Sequence, residues 1–132
     1  MAARVLLALC ALLVLGWVGI LFRNYEIGKN AALHAFFAPE KSPAARERDL
    51  ERLDDAQLLD PNAYWKVARA NYQLATGDRR GAASAAEKLV SAEPENIFAW
   101  STLLRATERS DPARARQAAA QIMRLNPLAS RR

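Results

Sequence analysis

Cysteine and histidine are almost missing from this chain: Cys10 and His34 stand alone among 132 residues. A disulfide within the chain is excluded by count, and so is a structural zinc site, which needs about four ligands. Glycine is also scarce and forms no loop that could cradle a phosphate. Gly77-Asp78-Arg79-Arg80-Gly81 reads instead as a turn followed by a helix start. No nucleophile has a base nearby in sequence, and Asp54-Asp55 and Arg79-Arg80 read as exposed charges at helix ends. The inventory points away from an enzyme, a metal and a bound cofactor. At this length the chain has room for one small domain, since domains run to about 100–200 residues.

Strong charge of one sign is lacking as well. Nineteen Lys and Arg face fourteen Asp and Glu, a formal charge of +5. Two of the nineteen, Arg4 and Arg23, flank the apolar start, so the rest of the chain has seventeen against fourteen. Arg79, Arg80, Arg114, Arg116, Arg124, Arg131 and Arg132 form no stripe with interleaved aromatics, which disfavours nucleic acid. Binding of anionic lipid or another acidic polymer through these scattered arginines stays open as an alternative.

What is present begins with an apolar run. Val5 to Phe22 are eighteen uncharged, mostly aliphatic residues. At about 1.5 Å per residue such a helix approaches the roughly 30 Å of bilayer hydrocarbon. A cleaved secretory signal competes, but its apolar core usually ends by about 15 residues at small A-x-A positions, which Gly16-Trp17-Val18-Gly19-Ile20 does not supply. Leu9 before Cys10 does not fit a lipoprotein box, so Cys10 reads as a thiol in lipid. Trp17, Phe22 and Tyr25 suit the membrane interface. The expectation is a single-pass protein of the cell membrane, with residues 5–22 in the bilayer and the side of the remaining domain open.

The division expected is an anchor over 1–23, a juxtamembrane segment and linker over 24–43, and a helical domain over 44–132. Residues 24–38 either continue the membrane helix or lie along the surface, with Phe36 and Phe37 as interfacial anchors. His34 has no partner ligand in sequence and reads as a surface histidine. Pro39 and Pro43 close the segment.

Beyond Pro43 the punctuation repeats. Ser42-Pro43, Asp60-Pro61, Glu93-Pro94-Glu95-Asn96 and Ser110-Asp111-Pro112 each set a capping side chain near a proline suited to a first helical turn. Gly77-Asp78 adds a further stop and start. The fold class is all-α, with helices expected over about 44–58, 62–75, 79–92, 96–109 and 112–125, and nothing reads as a strand.

Proline spacing is the strongest signal. Pro61 to Pro94 is 33 residues and Pro94 to Pro127 is 33 again, a period typical of helical-hairpin repeats. Trp65 and Trp100 open equivalent helices; Ala68, Tyr72 and Ala82 follow the first, and Leu103, Ala115 and Ile122 the second.

In these residues the chain resembles the tetratricopeptide repeat family, whose unit of about 34 residues alternates bulky and small positions and closes on proline. Trp65, Tyr72, Pro94, Trp100, Leu103 and Pro127 fall on the repeat-core positions. The likeness spans about 84 of the 132 residues and gives about two and a half repeats, residues 44–60 resembling the second helix of an incomplete one. It departs from the family at Arg69 and Leu104, where a small residue is usual, at Thr107, where a tyrosine is usual, and at the large Leu89.

The resemblance implies a concave face, lined by the first helix of each unit, that takes a partner segment. Carried onto this chain, the partner-binding positions include Lys66 and Gln73 from one repeat and Phe98, Ser101, Arg105, Glu108 and Arg109 from the next; Ala63, Ala70 and Leu74 complete the set. Only Lys66 fits the carboxylate clamp of some members, because Ala70 and Thr102 replace its amides, so no clamp is expected. The Ala/Arg-rich, Lys-poor composition resembles proteins of high-GC bacteria, where small anchored repeat proteins assist envelope assembly. The implied role is a scaffold or adaptor for another membrane or envelope protein. Self-association through the last helix, around Ile122, Met123 and Leu125, is the companion expectation.

Overall fold

The structure is a computed structural model that describes residues 2–37, 42–57 and 63–127, with side chains in the first segment described over 4–30. The linker around Pro39 and Lys41, the Asp60-Pro61 pair and the end beyond Pro127 lie outside the described residues, as does the side chain of His34. The described residues form six helices in order: α1 (Ala2–Phe37), α2 (Pro43–Ala56), α3 (Tyr64–Ala75), α4 (Arg79–Ala92), α5 (Ile97–Thr107) and α6 (Pro112–Leu125). The described residues contain no strand.

Four of the helix starts are set by the side chains that the sequence nominates. Ser42 accepts from the backbone N–H of Ala45, Asp78 from Gly81, Asn96 from Phe98 and Ala99, and Asp111 from Arg114. Each satisfies a donor that the first turn would otherwise leave without an intrahelical partner. Gly77, at φ +90, provides the left-handed residue that turns the chain from α3 into α4. Helix α3 begins at Tyr64 without a side-chain cap at Ala63, so packing, not capping, holds its start.

α1 is one unbroken helix of 36 residues. Residues 24–37 thus continue the apolar helix, the first of the two courses open to them in the sequence. The stretch Arg4–Asn30 is long and apolar enough to cross a membrane, with mean hydropathy 2.8 over its most apolar window. Residues 4–20 are exposed throughout, whereas Leu21 is half-buried and Asn24 and Gly28 are buried. The same helix therefore changes character within about two turns.

Each helix packs on its chain neighbour, and α1 also meets α3 while α3 meets α5. Among the described residues the backbones of α2, α4 and α6 do not approach one another. Two apolar clusters result. Leu53, Ala56, Trp65 and Tyr72 join α2 to α3, and Ala63, Ala86, Leu89, Val90, Ala99, Trp100, Leu103 and Ala118 join α3 through α6. Alanine predominates at the tightest points, where Ala70, Ala82, Ala86, Ala99 and Ala118 are fully buried and let backbones come close.

Candidate functional site

Because α2 and α4 stay apart, α3 is left as the floor of a cleft between them, with a volume of about 540 Å³. Lys66, Arg69 and Gln73 rise from α3 at spacings of three and four, which puts them on one helix face. Asp54 and Gln57 from α2 form one wall, and Ser84, Ala85 and Lys88 from α4 the other, with Glu93 at its end.

The polar groups of the floor are tied to one another. Arg69 places Nε 2.7 Å from Asp54 Oδ1 and donates from Nη1 to Gln73 Oε1 at 3.3 Å. Gln73 Nε2 in turn donates to Asp78 Oδ2 at 3.1 Å, the carboxylate that caps α4. Arg69 and Gln73 are therefore held in place from both sides. Lys66 and Lys88 are exposed and neither makes an ion pair with a described residue. With Asp54 and Glu93 set against three cations, the lining carries one surplus positive charge. Its chemistry is that of an anion-accepting surface: two exposed ammonium groups beside a guanidinium and an amide that are tied in place.

The residues expected to bind a partner fall into two groups. Lys66 and Gln73 line the cleft, Gln73 being only 8 % exposed. None of the other five, from α5 and the turn that follows it, does. Phe98 is 69 % exposed on the outer side of α5, Ser101 is half-buried and donates to the Ile97 carbonyl, and Arg109 is exposed. Glu108 pairs with Arg79 at 3.6 Å, and the Arg105 carbonyl accepts from the same guanidinium at 2.8 Å, which ties the start of α4 to the end of α5.

The residues assigned to the repeat core divide similarly. Trp65, Tyr72, Trp100 and Leu103 are buried, while Pro94 and Pro127 are exposed just beyond the ends of α4 and α6. Pro94 still contributes through its carbonyl, which accepts from the Trp100 indole N–H at 2.8 Å. In the last helix Met123 is exposed, whereas Ile122 and Leu125 are half-buried against the larger cluster.

The sequence gives Asp54 and Lys88 no binding role and marks Arg69 only as a departure from a small residue. That departure was the available signal. A long cation where close helix packing favours a small side chain must reach outward for a carboxylate, and Asp54 is the one it meets. Away from the cleft, Tyr72 donates to Asp49 Oδ2 at 2.9 Å inside the domain. Burial, then the hydrogen bond to Asp49 and its charge, push the Tyr72 phenol up to about 12, against a smaller opposing pull from Arg46.

No family model, curated protein or solved structure matches the chain.

Proposed function

We propose that the chain is a membrane-anchored scaffold or adaptor, held in the bilayer by the apolar part of α1, whose helical domain captures an acidic segment of another membrane or envelope protein. The observation that carries this reading is the cleft on α3, with Lys66 on its floor and Lys88 on its α4 wall, neither in an ion pair with a described residue. The alternation in which α3 meets both α1 and α5 while α2, α4 and α6 do not meet one another supports a tetratricopeptide-like stack, as do the 33-residue proline period and the like burial of Trp65 and Trp100. In this chain the two lysines, which pair with no described carboxylate, favour the cleft over the α5 face as the seat of the partner. The exposed, continuous apolar surface of residues 5–20 supports the anchor.

A photocrosslinking residue placed at Ser84, in the cleft wall, tests the reading in intact cells. A discrete adduct at Ser84 that is lost in Lys66→Glu/Lys88→Glu and is not formed from Arg80, outside the cleft, is the expected result. The same adducts from both positions, or an adduct indifferent to the charge reversals, would rule the cleft out. A second crosslinker at Arg109 reports whether the α5 face is used instead.

A further inference from the structure

The helical domain begins to cover α1 before the apolar run has ended. Leu21 is already half-buried and Asn24 is 3 % exposed, whereas the uncharged run extends to Phe22. No spacer separates the two parts: Phe22 and Tyr25 are about 5 Å apart along the helix axis. Tyr25 then meets Trp65, ring centroids 6.0 Å apart, and Trp65 meets Tyr64 at 4.7 Å.

These contacts fix which end of the domain faces the apolar run. Tyr25 and Gly28 meet Trp65 in the first turn of α3, and residues 4–20 are exposed throughout, so α3 runs on beside the later part of α1 and not back along the apolar run. Helix α2 runs back, as Asp49 opposite Tyr72 and Asp54 opposite Arg69 require. The Thr102 to Asn71 hydrogen bond sets α5 beside α3, and the Arg124 to Glu95 pair joins the end of α6 to the start of α5. The end nearest the apolar run is therefore where α3 and α5 begin and where α4 and α6 finish.

Among the described residues beyond Tyr25, three large apolar or aromatic side chains are exposed: Tyr64 (56 %), Phe98 (69 %) and Met123 (56 %). All three stand at that end, in the first turns of α3 and α5 and the last turn of α6. Among the described side chains the opposite end exposes Asp78, Arg80, Glu108, Arg109 and Asp111 and no large apolar group. Apolar surface gathered at one end and continuous with a bilayer-length helix matches a lipid interface, which favours Tyr and Phe at the headgroup level.

We propose that this end of the helical domain lies in the headgroup layer of the bilayer that α1 crosses, with Tyr64, Phe98 and Met123 inserted beside Tyr25. The inference rests on the anchor reading of α1. Charges in the neighbouring turns are mixed: Arg23, Lys66, Lys88 and Arg124 stand against Asp54, Asp55, Glu93 and Glu95. Insertion is therefore driven by apolar contact and holds in neutral lipid and in salt, unlike attachment through scattered arginines.

The test uses the full chain with Cys10→Ser in phosphatidylcholine vesicles, carrying single nitroxide labels at Leu13, Tyr64, Phe98, Met123, Arg80 or Arg109. Collision with oxygen, which partitions into lipid, is compared with collision with a water-soluble nickel chelate. Positions 64, 98 and 123 are expected to show an oxygen-to-chelate ratio several-fold above positions 80 and 109 and below position 13. Equal ratios at both ends, with position 13 still deep, would overturn the inference while the anchor reading stands. Low access to both reagents at 98 and 123 would also overturn it, by showing protein in place of lipid. A water-exposed label at position 13 would remove the anchor reading, and the inference with it.

Discussion

Gly28 of α1 lies against the indole of Trp65, so close that a Cβ at position 28 would stand 2.6 Å from Cε3 and from Cη2. Trp65 is 2 % exposed and flanked by Tyr25 and Tyr64, so the ring has little room to give way. Gly28→Ala gains helix propensity of about 1 kcal/mol but overpacks a buried contact, which typically costs about 1–3 kcal/mol. The expected outcome is a lower denaturation midpoint and faster hydrogen exchange in α2 and the start of α3. Gly19→Ala, where a Cβ would meet nothing within 4 Å, serves as the control and should leave both unchanged.

The Tyr72 to Asp49 pair sets an alkaline limit on the domain. Since the folded protein holds Tyr72 neutral up to about 12, against an ordinary value of 10.0, it stabilises the fold fully below pH 10. That contribution is lost as pH rises from 10 towards 12, by about 1.4 kcal/mol per unit. Urea unfolding across this range should show the loss in the native protein. A matched, pH-independent destabilisation is expected in Tyr72→Phe, and an unchanged slope in that variant would assign the limit to another group.

Leu53 is fully buried in the smaller of the two apolar clusters. Leu53→Ala should cost about 2–5 kcal/mol. Because that cluster joins only α2 to α3, the damage is expected to concentrate there. Amide exchange should accelerate in α2 while α5 and α6 keep most of their protection; a uniform loss would show that the helices unfold as one unit.

Two exposed carboxylates should differ in weight. Asp78 caps α4 and also accepts from Gln73, so Asp78→Ala is expected to cost about 1 kcal/mol. Glu95 meets Arg124 at 2.9 Å, but the two side chains are 76 % and 53 % exposed. Glu95→Ala should shift stability by less than about 1 kcal/mol and lose even that in high salt. Thermal melts of the two variants at low and high salt separate a cap from a surface pair.

Helix boundaries were legible wherever a short polar side chain precedes a turn. Ser42, Asp78, Asn96 and Asp111 each cap the helix that their position suggests, because capping involves only the next two or three residues. α4 and α6 span the residues expected, 79–92 and 112–125. α3 starts two residues later than expected and α5 ends two earlier, at termini where no side chain of the terminal residue holds the cap. The cleft was less legible. The family resemblance points to Lys66 and Gln73, but their association with Asp54 and Lys88 depends on how far α2 and α4 stand apart, which no local pattern encodes.

The order of residues by itself determined an all-helical chain, an apolar run of bilayer length, the capped starts of four helices and the recurrence of Trp65 as Trp100. Each of these follows from interactions spanning a few residues or from composition along a window. Tertiary structure alone decided that α1 runs unbroken into the domain, that Gly28 admits Trp65, and that Tyr64, Phe98 and Met123 come to share one end. Those relations join residues up to about a hundred positions apart in sequence. They arise because burying Trp65 and the alanine faces aligns whole helices, and helix direction then places every turn.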